Sequence, residues 1–339
     1  MSGLAAKEMH VGESETLSRI AEIIGENNKF LLTTHEGPDG DALGSLLGMQ
    51  TMLETLGKDS VMFLAAKEFP LPIEYRHLPL ESVFHEPPAD LRDRVVIFLD
   101  CGNIDRMPVD FLRDGGDFVV NIDHHHDNTH FGDFNFVNSG ASCTAEIIYE
   151  LAMLLDVKID PTMARALYIG IITDTGKFMY DATHARTHEV AAALIRAGVD
   201  VDDVNRRLYE SVPFEKLRLL SRALDKTELK CNGRLIVAYI TAEDYEAAEA
   251  GEEMTEGIID NLRAVDGVQV AAVIRDQVSR GRAARKVSLR SADDHTDVSV
   301  IARSFGGGGH VRAAGCSTEL PYDEVIATIC AAIGEHDSD

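Results

Sequence analysis

Residues 29–57 read KFLLTTHEGPDGDALGSLLGMQTMLETLG. KFLLTTH (29–35) is an apolar run that turns polar at its end, the pattern of a short buried strand. Gly37, Pro38 and Gly40 then permit a tight backbone path. DALGSLLGMQTMLETLG (41–57) follows at once with the spacing of an amphipathic helix. The same alternation recurs. DSVMFLAA (59–66), DRVVIFLDC (93–101) and DFVVNIDHH (117–125) are strands, the last two ending in acidic or imidazole residues. CTAEIIYELAMLL (143–155), PTMARALYIGIITDTG (161–176) and THEVAAALIRAG (187–198) are helices, and SETLSRIAEIIGENN (14–28) is a helix with Ser14 as its N-cap. Alternating strands and helices predict an α/β fold, with a parallel, doubly wound sheet over residues 1–200.

Ligands of such sheets gather beyond the carboxyl ends of the strands. His35, Asp100 and Asp123, His124 and His125 all sit at such ends, the last three within NIDHHHDNTH (121–130). A core does not collect imidazoles, whose ring nitrogens need partners when buried. Asp39 and Asp41 share the first turn with His35. A helix N-cap with an acidic first turn explains one of these aspartates and leaves the histidine unexplained. Asp100 alone reads equally as a cap or a ligand. Asp174 interrupts an apolar stretch, where an unpaired carboxylate is expensive. Together these positions offer at least two imidazoles and four carboxylates, with no thiolate. That donor set suits manganese or another hard-to-borderline divalent ion. It is too large for one ion with open positions and fits two ions bridged by a carboxylate. Such ions sit about 3.5–4 Å apart and can drive an in-line phosphoryl displacement by water.

The texture changes after this region. Residues 201–227 are helical and charged, a connecting helix pair. GRLIVAYIT (233–241), VQVAAVIRD (268–276) and RKVSLRS (285–291) are strands of a second, smaller α/β domain over 228–339, with SRGRAA (279–284) as a turn. A chain of 339 residues suits two such domains. Residues 1–14 read as a loose leader, without the apolar core of a signal peptide, and no run has membrane-spanning length, so a soluble cytoplasmic protein is expected. The five cysteines are odd in number and scattered, which indicates neither a disulfide framework nor a zinc ribbon. A net charge of -25 argues against a broad electrostatic grip on long DNA or RNA. A small anionic ligand held by metal ions and a few arginines remains compatible with it.

THEGPDGDALGS (34–45), FLDCGNIDR (98–106), VNIDHH (120–125) and GIITDTGKF (170–178) resemble the four motifs of the DHH phosphoesterase superfamily, and SFGGGGHVRAAG (304–315) with KVSLRS (286–291) resembles its DHHA1 domain. The match runs in order over nearly the whole chain. Length and domain pairing resemble the nanoRNase/pAp-phosphatase branch, whose members include cyclic-dinucleotide phosphodiesterases. Gly37 stands where the first motif usually has Asn, at a position that is not a ligand, and His126 is an extra histidine, read as a solvent-facing loop residue.

The resemblance implies His35, Asp39 and Asp100 as ligands of one manganese, and Asp41, Asp100, His124 and Asp174 as ligands of the other, with Asp100 as the bridge. Asp123 would orient a histidine through its ring N–H, and His125 would contact the scissile phosphate or act as general acid. It also implies that the DHHA1 domain holds a terminal phosphate or ribose through Gly306, Gly307, Gly308, Gly309, His310, Arg263 and a bidentate Arg290, with Arg106 as a further candidate anion contact. Arg285 and Arg312 read as surface charges. Ser142 and Thr144 in GASCTAE (140–146) offer nucleotide contact or helix N-capping. The expected activity is hydrolysis of very short RNA such as pApA to nucleoside 5′-monophosphates, together with a 3′-phosphoadenosine 5′-phosphate phosphatase activity, in a homodimer. Cleavage of cyclic di-AMP is the alternative within the same chemistry, and a non-catalytic nucleotide sensor the alternative outside it. An inorganic pyrophosphatase would share the metal motifs and lack the glycine–histidine segment.

Overall fold

The computed structural model describes residues 11–107, 110–114, 118–278, 284–293, 296–309 and 311–335. Most of the expected leader, most of the SRGRAA turn, His310 and the end of the acidic tail lie outside these residues. The chain folds as two compact units, the first ending at Glu210 and the second running from Ser211 and taking in Pro72–Glu74.

The first unit begins with α1 (Val11–Glu26), which starts ahead of Ser14, so that residue lies within the helix instead of capping it. Then come β1 (Lys29–Thr33), α2 (Gly40–Thr55), β2 (Asp59–Met62), β3 (Val95–Leu99), α3 (Asp110–Asp114), β4 (Val119–Asp123), β5 (Phe134–Val137), α4 (Thr144–Leu154), α5 (Pro161–Asp174), α6 (Ala185–Arg196) and α7 (Val201–Asn205). The five strands form one parallel sheet in the order β2-β1-β3-β4-β5. Its inner strands are apolar on both faces because both are covered. Leu32, Ile97 and Ile122 pack on one side with residues of α1, α2, α4 and α5, while Leu31, Val96 and Phe98 pack on the other with Phe63 and Leu112. The chain leaves β1 toward β2 and returns to β3 on its other flank. The winding therefore reverses between β1 and β3, where open α/β sheets form a crevice.

Two glycines let the helices over this crevice come close. A Cβ on Gly44 of α2 would lie 2.5 Å from the Ala166 carbonyl oxygen of α5. One on Gly170 of α5 would lie 2.6 Å from the Ala145 Cβ of α4 and 2.8 Å from Asp41 Oδ1. Helix propensity alone makes Gly170→Ala stabilising by about 1 kcal/mol. Overpacking at such distances costs about 1–3 kcal/mol. Packing wins, so urea unfolding of Gly170→Ala is expected to give a net loss of stability. A gain would show that the three helices are not in this close contact.

The second unit contains α8 (Phe214–Asp225), β6 (Glu228–Lys230), β7 (Leu235–Ile240), α9 (Ala242–Ala248), α10 (Ile258–Arg263), β8 (Val270–Asp276), β9 (Arg285–Ser291), α11 (Val298–Ser304), β10 (Gly308–Gly309), β11 (Ala313–Thr318) and α12 (Tyr322–Glu335). Its six strands run β10-β11-β9-β8-β7-β6, antiparallel except for β7 beside β8. Val237, Ile274 and Leu289 pack with residues of α11 and α12, and Ile236, Ala238 and Val273 pack with residues of α8, α9 and α10. The expected linker at 201–227 is shared out. Leu219 and Ala223 of α8 join the second core, while Val204 of α7 joins the first.

Cys231 and Cys330 are disulfide-bonded, with Cα atoms 5.7 Å apart, which corrects the expectation drawn from cysteine spacing. They are 99 residues apart in sequence, and only the packing of α12 brings them together. Arg285 is also more engaged than a surface charge. It donates to the Leu320 carbonyl at 3.0 Å and to the Tyr239 hydroxyl at 3.4 Å.

Candidate metal centre

The ends of β1, β3 and β4 place His35, Asp100, and Asp123 with His124 and His125 on the carboxyl edge of the first sheet. Asp39 and Asp41 come from the start of α2, and Asp174 from the last position of α5. Three overlapping groups bring potential ligand atoms within 4.8 Å of one another: His35 with Asp39 and Asp100, Asp41 with His124 and Asp174, and Asp100 with His124 and His125.

Asp100 stands between the first two. Its Oδ2 lies 3.7 Å from His35 Nε2, and its Oδ1 lies 3.5 Å from His124 Nε2. His124 Nε2 is also 3.5 Å from Asp174 Oδ2 and 4.0 Å from Asp41 Oδ2. These separations sit at or beyond the hydrogen-bond limit. Donors about 2.1 Å from a shared ion lie roughly 3.0–3.4 Å apart. The donors are all imidazole nitrogen and carboxylate oxygen, so the residues present fit hard-to-borderline divalent cations. Asp100 has φ +57°, a left-handed conformation that Asp tolerates better than most residues. Cys101 beside it takes no part as a thiolate, because burial pushes its thiol up to about 12.

Asp39 serves as helix cap and candidate ligand together. Its Oδ1 accepts from the Asp41 and Ala42 amides at 3.1 Å each. Asp41 is buried, and its carboxylate caps a different helix. Oδ2 accepts from the Thr144 amide at 2.7 Å and Oδ1 from the Ala145 amide at 2.9 Å, both at the start of α4.

His35 Nδ1 lies 2.8 Å from the Glu36 carbonyl and 2.9 Å from Arg106 Nη2. One ring nitrogen cannot donate to the first and accept from the second at once. An ion on Nε2 requires the tautomer in which Nδ1–H donates to Glu36, and that tautomer leaves Arg106 no acceptor there. Arg106 therefore abuts a candidate ligand.

The electrostatics are those of a site that holds too much negative charge when metal-free. Burial, with the charges of Asp100 and Asp174, holds the Asp41 carboxyl well above the ordinary range. Burial likewise lifts Asp174 to about 7 against the pull of His124. Burial would lower His124, but Asp174, Asp100 and Asp41 outweigh it and raise the imidazole to about 9. Asp100, despite its burial, is held well below its ordinary value by His35, His125 and His124.

An ion must therefore displace protons. His124 carries one below about pH 9 and Asp174 one below about pH 7. Metal affinity is expected to rise with pH as His124 and Asp174 give up their protons. Calorimetry in buffers of different ionisation enthalpy would register the released protons. A pH-independent affinity over this range would rule out His124 as a ligand.

Asp123 is buried, and both its oxygens are engaged. Oδ1 faces His125 Nδ1 at 2.7 Å, and Oδ2 accepts from Asn128 Nδ2 at 2.5 Å. The same amide reaches Asn121 Oδ1 at 2.7 Å. His126 is exposed. Asn128 has no signal of its own in the sequence beyond its place in the same histidine-rich stretch.

In the second unit, a small depression is lined by Arg275, Ser288 and Arg290 with Thr255, Glu256 and Gly257. Arg290 was singled out from sequence. Arg275 and Ser288 lie in segments legible as strands, but strand pattern alone does not tell which side chains converge on a depression. Arg275 Nε is buried without a hydrogen-bond partner, although its Nη1 donates to the Glu252 carbonyl at 3.0 Å. Arg263 ends α10, and the depression's lining does not include it. Gly308 and Gly309 pair with Gly315 and Ala314 as β10. A Cβ on Gly307 would lie 2.2 Å from the Gly315 carbonyl oxygen, so the close approach of β11 by itself favours glycine there. Gly306 has φ +77°, with open space where a Cβ would stand.

Residues 29–171 match the N-terminal domain of the DHH family, and residues 232–335 match the DHHA1 domain. The bifunctional oligoribonuclease and PAP phosphatase NrnA of Thermus thermophilus is 31% identical over 324 residues, which cover 95% of this chain and 94% of that protein. The cyclic-di-AMP phosphodiesterase GdpP of Geobacillus thermodenitrificans is 26% identical over 94% of this chain and 49% of its own length. The fold is shared with an exopolyphosphatase-related protein of Bacteroides fragilis, with a TM-score of 0.84 and 20% identity over 98% of both chains. Among the described residues no helix is long and apolar enough to cross a membrane. With two domains matched in order and a relative 31% identical along almost its whole length, the chain belongs to the DHH–DHHA1 family of phosphoesterases and is a hydrolase.

Proposed function

We propose that this chain is a manganese-dependent phosphodiesterase that cleaves very short oligoribonucleotides such as pApA to nucleoside 5′-monophosphates and also removes the 3′-phosphate of 3′-phosphoadenosine 5′-phosphate. The observation that carries the proposal is Asp100, whose two oxygens face two separate ligand groups at the switch point of the sheet. His35 and Asp39 would hold one ion, Asp41, His124 and Asp174 the other, with Asp100 between them. When bound, such ions supply Lewis acidity to phosphoryl oxygens and lower the pKa of a water.

The chain's own residues do the rest. Asp123 fixes the His125 ring through Nδ1, which leaves Nε2 to present a proton to a phosphoryl or leaving oxygen. Water adds to phosphorus, the bond to the 3′ oxygen breaks, and that oxygen takes up the proton. Arg290 and Arg275 would meet a terminal phosphate with planar, charge-assisted donors. The net charge of -25 favours a short substrate, since it opposes a broad electrostatic grip on a long one. The activities named for the Thermus relative point the same way. The similarity to GdpP favours cyclic di-AMP as the second reading.

The test is a manganese-supplemented hydrolysis panel of pApA, 3′-phosphoadenosine 5′-phosphate, cyclic di-AMP and pyrophosphate, with Asp100→Asn as control. AMP released from pApA by the wild type and lost in the control is the expected result. Cleavage of cyclic di-AMP alone would shift the assignment to the second reading. No cleavage with metal shown to be bound would replace both by a nucleotide sensor.

A further inference from the structure

The start of α4 holds two candidate ligands of the same ion, through groups that have no other work. An α-helix begins with backbone amides that lack intrahelical partners, and those of α4 are not capped locally. Its N-cap, Cys143, makes no side-chain cap bond. Asp41 of α2 caps it instead, one oxygen on each of the Thr144 and Ala145 amides. Thr144 is the first residue of the helix, one position past the N-cap, so its hydroxyl is not the cap. It turns to the sheet edge and donates to Asp100 Oδ1 at 3.0 Å. Thr144 and Asp100 are both buried. Ser142 and Thr144 were indistinguishable from sequence as capping or nucleotide-contacting residues. The geometry gives neither role to Thr144.

The first turn is itself braced. The Glu146 carboxylate accepts from the Ser142 hydroxyl and, at 3.2 Å, from the Thr187 hydroxyl of α6. This buried bracing fixes the loop before α4 and with it the direction of the Thr144 side chain. Asp100 Oδ1 is the oxygen that faces His124, and Oδ2 the one that faces His35. The Thr144 bond therefore bears on one side of the bridging carboxylate.

We propose that Thr144 is a positioning residue that sets the orientation of Asp100 for the ion held by Asp41, His124 and Asp174, and not for the ion at His35 and Asp39. The proposal rests on the dimetal reading of this site. Removing a hydrogen bond that orients a ligand typically costs about 10–100-fold in metal affinity. That loss should fall on one of two ions.

The experiment is Mn2+ titration of the purified full chain, followed by electron paramagnetic resonance and calorimetry, for wild type, Thr144→Val and Thr144→Ser. Wild type should bind two ions and show the spectrum of a coupled pair. Thr144→Val should keep one ion at wild-type affinity, bind the second about 10–100-fold more weakly, and lose the coupled signal at limiting metal. Thr144→Ser keeps the hydroxyl and should restore both, which a merely structural role of the threonine methyl would not predict. If the valine protein does not fold, Thr144→Ala removes the same hydroxyl and carries the same expectation. Equal weakening of both ions, or no weakening, overturns the proposal while leaving the dimetal reading intact. Failure of the wild type to bind a pair overturns the dimetal reading itself.

Discussion

Asp100→Asn is expected to lower hydrolysis of every substrate by about 10³-fold or more and to leave the protein unable to hold two ions together. The residue sits at φ +57°, and Asn tolerates the left-handed region as Asp does, so the backbone at the end of β3 keeps its shape. The side chain keeps its size and loses one of two anionic donors. Oδ1 serves the His124 side and Oδ2 the His35 side, so an amide nitrogen in either position turns a donor to an ion into an N–H that repels it. Lewis-acid stabilisation by metal ions is worth several kcal/mol, and about 4 kcal/mol corresponds to about 10³ in rate. Loss of stability should not explain the effect. Asp100 lies among Asp41, Asp174 and Asp123, and its charge is one of those that raise Asp41 and Asp174. Removing it relieves repulsion in the metal-free protein while depriving His35, His124 and His125 of a partner. Metal content after gel filtration and the rate of AMP release from pApA decide the point. Two ions retained with activity within tenfold of wild type would remove Asp100 from the bridging position.

Much of this site is legible in the sequence, for a physical reason. A buried parallel strand has few reasons to end in a charged residue, so Asp100 after VVIFL and Asp123 after VVNI stand out against apolar surroundings. His35 after a buried strand and Asp174 at the end of an apolar helix stand out in the same way. What was not legible depends on contacts between residues far apart in sequence. Asp41 as the cap of α4 joins positions 103 residues apart. The disulfide joins positions 99 apart. Thr144 reads as a helix cap by type and place, but the helix starts on it with Cys143 as N-cap, and the capping bonds come from Asp41 of α2. The strand β5 is four residues, FNFV, too short for its alternation to rise above the surrounding loop. The glycine run in the second unit is the reverse case. Its composition suggested an anion loop, whereas Gly307 and Gly309 already have a reason to be glycine in how closely they pack against β11.

His125→Ala is expected to reduce kcat by about 10²–10⁴-fold, the range for loss of a positioned proton donor, with both ions retained. Asp123→Asn should cost less, about 10–100-fold, and should change the pH profile. Burial alone would lower the His125 imidazole, but the hydrogen bond from its Nδ1 to Asp123 and the charges of Asp123 and Asp100 raise it. In turn His125 draws Asp123 below its ordinary value despite that residue's burial. The pair is therefore biased toward imidazolium and carboxylate. A group that must be protonated to act gives a rate that falls as pH rises through its pKa. In wild type this alkaline limb lies above the ordinary histidine value. Asparagine in place of Asp123 removes the charge that outweighs burial, so the limb should move to lower pH. Asn128 also grips Asp123, through Oδ2 at 2.5 Å. Asn128→Ala should therefore loosen the dyad without removing its charge, and shift the limb less than Asp123→Asn. Metal content separates this role from ligation, because His125 also lies within ligand distance of Asp100 and His124. Loss of an ion in His125→Ala would make the histidine a ligand. An unmoved alkaline limb in Asp123→Asn would show that the dyad does not set the protonation on which turnover depends.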